Sequence, residues 1–298
     1  MAVNSGTGRV ATSASRVDRP SGVRERAEFF GTGHDQLFGC THVPPRDVRA
    51  LLVICPPIFV DFIHNYRKEV LLSRALAARG VAVIRFHYRG TGNSDGEPSD
   101  VTFDTMCADA HAALQQLQHQ CGEAAISFMG TRWGGLVATA VATRHPGAPL
   151  VLWEPVLEAR RFFREGFRAR MMRDVKEGTS SPSGQLTREL EKAGRVDVLG
   201  HSVDQLLYNS APREALSETL GTERRPILLA QLDPRHDLRA EYRKLTSGLS
   251  ELGFAVDVRL AGGQGAWWFL DDQSSEGHDL VAWTADWLER QIASEVTA

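Results

Sequence analysis

Short, continuously apolar runs alternate along this chain with segments whose apolar residues recur every three or four positions, and few architectures accept that alternation. Arg49-Ala-Leu-Leu-Val-Ile-Cys-Pro-Pro is apolar from its second residue until the two prolines end it, the pattern of a strand buried on both faces. A loop offering Asp61, His64, Asn65 and Arg67 follows. Val70, Leu71, Ala75, Leu76 and Ala78 then form one face of a helix that Gly80 closes. The unit repeats, with a strand over 81–86, a turn-rich loop RGTGNSDGEP, and a helix marked by Met106, Ala110, Ala113, Leu114 and Leu117. Two more strands, over 124–129 and 149–153, flank a helix carrying Leu136, Val137, Ala140 and Val141. This rhythm implies right-handed crossovers and a mostly parallel central sheet with helices on both faces.

The flanks set the boundaries. Residues 1–24 are rich in Gly, Ser, Thr and Arg, show no hydrophobic periodicity and read as a flexible leader. Residues 27–30 and 36–43 read as a short antiparallel pair around the turn GTGHD. From 157 to 220 the rhythm breaks into an Arg-rich stretch with helices over 160–175 and 185–193, which reads as a helical lid inserted between two strands. The sheet resumes over 226–232, a helix spans 242–252, a strand 254–260, and a last helix carries Leu280, Val281, Trp283, Trp287 and Leu288. One α/β domain, residues 25–156 and 221–298, with a lid at 157–220, is the expected organisation.

Composition removes several classes of function. The 34 basic residues do not exceed the 37 acidic ones, so no positive excess exists to neutralise a phosphate backbone and no nucleic-acid partner is expected. No apolar run approaches the ~20 residues that span a bilayer, and the first residues lack the apolar block of a secretory signal, so a cytoplasmic chain with no membrane partner is expected. Cys40, Cys55, Cys107 and Cys121 are scattered without metal-ligand spacing, which predicts reduced thiols and no metal. The loop GTGNSDG has neither a GK[ST] ending nor GxGxxG spacing, so no nucleotide cofactor is expected.

The chemistry concentrates at FMGTRWGG, residues 128–135. A strand running into Gly-x-X-x-Gly-Gly and a helix is the tight turn that lifts its middle side chain over a sheet edge, the nucleophile elbow. The middle residue here is Arg132. A guanidinium stays protonated and cannot form an acyl-enzyme, but at a helix N-terminus it can bind an anion. Through this motif, and through QLFGC, CPPIFVDFIHNYRKE, YRGTGNSDGE and GRVDVLGHSV, the chain from about 27 to 290 resembles the α/β-hydrolase superfamily, and within it the exosortase A system-associated hydrolases and their actinobacterial relatives. That subgroup carries a PF…N…R segment and an Arg at the elbow, which Asn65, Arg67 and Arg132 match.

The resemblance implies an α/β-hydrolase fold and positions for a triad. The acid follows the strand after the lid, which points to Asp233, with Asp237 nearby. The general-base position, in Gly262-Gly-Gln-Gly-Ala-Trp-Trp-Phe, is occupied by Trp267, and His278 comes later at the start of the last helix. With Ser and His both absent, His64, His87 and Glu154 become candidate bases beside Arg132. Each also has a structural alternative; for Glu154 it is an ion pair with Arg160 or Arg161 at the lid hinge. Asn65, Arg67, Tyr88, Thr131, Trp133, Trp267 and Trp268 are the candidate substrate-binding residues. The stretch RRFFREGFRARMMRD reads as an amphipathic lid helix packing its Phe and Met residues on the pocket; an acyl-carrier protein docking on its basic face, and a homodimer, stay open.

Three functions fit. The first is a lyase-type step, elimination of an acyl group or proton abstraction, on an ester- or carbonyl-bearing small molecule of bacterial specialised metabolism or polysaccharide assembly. The second is ester or thioester hydrolysis by directly activated water, and the third is a non-catalytic ligand-binding protein.

Overall fold

The computed structural model describes residues 13–31, 36–178, 184–232, 237–261 and 278–296. Eleven strands and nine α-helices are described among these residues. An antiparallel meander comes first: β1 (Ala14–Val17), β2 (Arg24–Phe30) and β3 (Leu37–Val43). The alternating core follows as β4 (Ala50–Cys55), α1 (Val60–Ala77), β5 (Val81–Phe86), α2 (Phe103–Cys121), β6 (Ala125–Thr131), α3 (Trp133–Ala142) and β7 (Leu150–Trp153). An insertion holds α4 (Ala159–Lys176), α5 (Gln185–Ala193), β8 (Arg195–Val198), β9 (His201–Asp204), α6 (Gln205–Ser210) and α7 (Leu216–Thr219). The core closes with β10 (Pro226–Gln231), α8 (Ala240–Glu251), β11 (Ala255–Leu260) and α9 (His278–Val296).

The large sheet runs β1-β2-β3-β5-β4-β6-β7-β10-β11. Pairing is antiparallel up to β3–β5 and parallel from β5 onward. The order explains the apolar runs: β4 and β5 lie inside the sheet, and all six residues of each are buried. One face packs under α1 and α9, where Trp153 Nε1 donates to Thr284 Oγ1 at 3.0 Å. The other packs under α2, α3 and the insertion, whose Phe162, Phe163 and Phe167 are buried in the same core as Trp133. Among the described residues no helix is long and apolar enough to cross a membrane.

The structure departs from the sequence reading in three places. Helix α1 begins at Val60, so Asp61, His64, Asn65 and Arg67 stand on its first turns instead of in a loop. Its buried face carries Asp61, Asn65, Glu69 and Ser73 at four-residue spacing, and a polar stripe facing a core hides the apolar period on which the expectation rested. The segment read as a flexible leader contains β1, paired in register with 24–27, and its Val23 is fully buried. The insertion is more than helical: β8 and β9 form a hairpin whose turn residues Leu199 and Gly200 both have positive φ, 56° and 87°, as a two-residue hairpin turn requires. The amphipathic reading of α4 holds for its phenylalanines, whereas Met172 is exposed.

Candidate functional site

Three strained turns gather at the C-terminal edge of the parallel strands, where open α/β sheets place ligands. Phe59, after β4, has φ 57°; Arg132, after β6, has φ 53°; Glu154, after β7, has φ 45°. A non-glycine residue held there costs on the order of 1–3 kcal/mol, so the surroundings must impose the conformation. At Arg132 they do. Its N–H donates to Trp153 O at 2.9 Å, and its C=O accepts from Gly135 N at 3.0 Å and Val156 N at 3.1 Å. The elbow also needs its glycines: a Cβ on Gly134 would stand 2.0 Å from Cys55 O, and one on Gly130 would stand 2.1 Å from Gly134 O.

The turn lifts Arg132 over the sheet edge into a buried ion pair. Arg132 is 6 % exposed, its Nε donates to Asp61 Oδ2 at 3.1 Å, and its Cζ lies 5.8 Å from the centre of the Phe162 ring. Burial pulls the guanidinium down, but the charges of Asp61, Tyr242 and Glu154 more than offset that and hold it above its ordinary value. Asp61 is fully buried, and burial pushes its carboxyl up against the opposing pull of Arg132, His64 and His201. Asp61 Oδ1 has no hydrogen-bond partner among the described residues. One turn on, Asn65 Nδ2 donates to Asp61 O at 2.8 Å, and Asn65 Oδ1 is likewise without a partner among the described residues. Another turn on, Glu69 Oε1 accepts from Thr131 Oγ1 at 3.1 Å, and burial pushes Glu69 up to about 7.

A crevice of about 60 Å³ opens beside Arg132, bounded by Pro155, Glu158, Phe162, Arg239 and Tyr242. Its rim is ionic. Arg161 of α4 pairs with Glu165 at 2.9 Å and with Glu241 of α8, while Arg239 pairs with Glu241 at 3.7 Å and with Glu154. Glu154 is fully buried and accepts from Leu232 N at 2.7 Å. Its partner is thus Arg239 of the core, not Arg160 or Arg161; Arg160 lies over the Tyr208 ring at 4.1 Å. This replaces the expected hinge pair, because Glu154 points back under the sheet edge toward β10.

The other candidate residues scatter. His64 stands on α1 within range of the Asp61 charge. His87 Nδ1 accepts from Asn93 N at 3.0 Å, its ring lies 5.2 Å from both Phe38 and Phe62, and burial brings it down to about 4. It does not line the Arg132 crevice. Thr131 points beneath the elbow to Glu69, Trp133 is buried with its Nε1 on Met106 Sδ at 3.3 Å, and Arg67 is on the exposed side of α1. Tyr88 is buried and its hydroxyl donates to Pro56 O at 3.2 Å. Asp237 is exposed, and its C=O accepts from Gln231 Nε2 at 3.0 Å. Asp233, Trp267 and Trp268 lie outside the described residues, as does the His278 side chain. Tyr242 and Arg239 carry no sequence signal, since each reaches the site from a distant element; Phe162 belongs to the stretch RRFFREGFRARMMRD, expected to pack its Phe residues on the pocket, His201 to GRVDVLGHSV, and for Glu69 the signal was the spacing Asp61, Asn65, Glu69.

A second and larger cavity, about 320 Å³, lies between the start of α1, the loop after β5 and the β9–α6 part of the insertion. Among its walls are Ile58, Phe59, Tyr88, Met106 and Leu207.

The model of the Hydrolase_4 family, described as serine aminopeptidase, S33, matches residues 48–196. Est1E from Butyrivibrio proteoclasticus is similar with a TM-score of 0.63, covering 90 % of this chain and 99 % of its own at 14 % identity. The mouse α/β-hydrolase domain-containing protein 10 is similar with a TM-score of 0.58, covering 89 % of this chain and 98 % of its own at 16 % identity. At these identities the likeness shows the fold alone. The Mycobacterium tuberculosis protein Rv2307c is 38 % identical over 86 residues, 28 % of this chain, and the match spans only 30 % of that protein's length.

Proposed function

The chain belongs to the Hydrolase_4 (serine aminopeptidase, S33) family and has the α/β-hydrolase fold, and from that premise we propose that it is an enzyme that replaces acyl-enzyme chemistry with a lyase-type step. The observation that carries this reading is the buried Arg132–Asp61 pair at the elbow, in which one carboxylate oxygen has no partner among the described residues. Arg132 cannot attack a carbonyl carbon, but with the N-terminus of α3 it can hold negative charge that develops on a carbonyl oxygen. Asp61, pushed up by burial, is suited to accept a proton.

On a β-acyloxy carbonyl substrate the bonds balance as follows. The Cα–H bond breaks and its proton passes to Asp61. The Cα–H electron pair forms the Cα–Cβ double bond, the Cβ–O bond breaks, and the carboxylate departs toward Arg132 with the Cβ–O pair. No nucleophile is consumed and no water is added.

Ester hydrolysis by directly activated water is the second reading, supported by the family description and by the similar Butyrivibrio protein, a structure of which holds ferulic acid. Oxygen labelling separates the two. A panel of β-acetoxy ketones turned over in ¹⁸O-water is expected to release acetate without label; one labelled oxygen per acetate would identify hydrolysis and overturn the lyase reading. Arg132→Gln and Asp61→Asn are each expected to lower kcat at least 100-fold, and a serine-directed phosphonate is expected to label no residue.

A further inference from the structure

We infer that the 320 Å³ cavity beside the elbow binds an uncharged apolar group of the substrate, a straight chain of about eight carbons or one aromatic ring with a short substituent. The inference deepens the reading above and rests on it for the position of the reacting group.

The walls argue for an apolar occupant. Ile58 and Phe59 come from the turn before α1, Phe62 from its first turn, Met106 from α2 and Leu207 from α6. Three of the polar lining residues already have internal partners: Tyr88 donates to Pro56 O, Thr91 Oγ1 donates to Tyr88 O at 2.7 Å, and Asp204 Oδ1 accepts from Leu206 N at 2.9 Å. The other two, His201 and Ser202, stand together at the β9 end, where the His201 ring lies 5.8 Å from the Phe59 ring. Away from that end, a ligand with its own hydrogen-bonding groups would lose water and gain little in return. Among the described residues no Lys or Arg lines the cavity, so an anionic group is not matched inside it. At about 30 Å³ per small group, the share of one water in the liquid, the volume takes roughly ten heavy atoms.

Two side-chain contacts tie the cavity to Arg132. Phe59, in its wall, stacks on Phe162 at 6.3 Å, and Phe162 lies under the Arg132 guanidinium. Met106, also in the wall, accepts from the indole of Trp133, the residue after Arg132. The cavity and the anion-holding group therefore share one aromatic partition. In this reading the acyl or aryl end of the substrate occupies the cavity and its carbonyl end lies across that partition, at the elbow. Because the insertion supplies part of the wall, the part of the chain read as a lid also sets the length the cavity accepts.

Calorimetric titration of the whole protein tests this with two ligand series, n-alkanols and n-alkanoates from four to ten carbons. The alkanols carry no anion and report on the cavity alone. Their affinity is expected to rise about three- to fourfold per methylene and to level off near eight carbons. Ile63→Trp, at a position on the mouth that is 68 % exposed and so without consequence for the core, is expected to cut octanol binding more than tenfold. Leu207→Trp, from the insertion, is expected to do the same. An alkanol series that is flat with length, or octanol binding that ignores both substitutions, would overturn the cavity assignment. Arg132→Gln is expected to weaken the alkanoates; if it does not while the alkanol series keeps its length dependence, the anion role of Arg132 fails and the apolar site stands.

Discussion

Arg132 and Asp61 are 71 residues apart in sequence, yet the guanidinium of one donates to the carboxylate of the other at 3.1 Å inside the protein. The elbow after β6 and the first turn of α1 are thereby joined by charge as well as by packing. Removing one member of a buried pair exposes the other to its full desolvation cost, so Asp61→Ala is expected to destabilise the fold by on the order of 3 kcal/mol. Asp61→Leu combined with Arg132→Met is expected to recover most of that loss. Urea unfolding of the single and double variants measures both.

The elbow glycines give a sharper contrast. A methyl on Gly134 would meet the Cys55 carbonyl at 2.0 Å, and backbone of a central strand cannot yield. Gly134→Ala is expected to cost more than about 3 kcal/mol or to prevent folding. Gly248 lies in α8 with nothing within 4 Å of its added methyl, so Gly248→Ala is expected to stabilise by about 0.5–1 kcal/mol. Thermal melts of the two variants should move in opposite directions.

These positions also show how far the sequence was legible. Strands 81–86 and helix 185–193 agree with the structure to the residue, because an unbroken apolar run and a helix bracketed by Gly184 and Gly194 leave little freedom. The elbow was legible because glycine spacing dictates its backbone. The start of α1 was not, since Asp61, Asn65 and Glu69 are polar residues at buried helical positions, and periodicity arguments assume the reverse. The crevice was legible in its centre and, through the amphipathic pattern of the stretch RRFFREGFRARMMRD, at Phe162; Arg239 and Tyr242 meet Arg132 through tertiary contacts that no local pattern encodes.

Acid and base titrations should act on stability with opposite signs. Glu69 is raised from 4.5 to about 7, first by burial, against the pull of Arg85, Thr131 and Lys68. Its folded form prefers the proton, so its contribution is full below pH 4.5 and is lost as pH rises through 7. His42 and His87 are lowered from 6.5 to about 3 and about 4, in both cases mainly by burial and next by the Arg85 charge. Their contribution is present above pH 6.5 and is lost as pH falls toward those values. Glu69→Gln is expected to raise stability at pH 8 by on the order of 2 kcal/mol and to change little at pH 4.5. Urea midpoints of the wild type and the variant from pH 4 to 8 read the difference.

Trp153 and Thr284 offer a test of the opposite face. Thr284 is fully buried and its hydroxyl accepts the Trp153 indole N–H at 3.0 Å. Thr284→Val keeps the shape and leaves that donor without an acceptor, an expected loss of about 1–3 kcal/mol by denaturant unfolding.

The short strand β1 has a use beyond the core. All four of its residues are exposed, yet it pairs with every residue of β2 from Arg24 to Ala27, and its Arg16 reaches Glu25 at 3.5 Å. Without it, β2 would end the sheet with an open row of amide and carbonyl groups, the surface on which strands of other molecules add. A four-residue strand with a charged side chain is a poor template for such growth. The segment that reads as a passive leader insulates the antiparallel end of the sheet, and its loss would be felt in colloidal behaviour at high concentration before it was felt at the elbow.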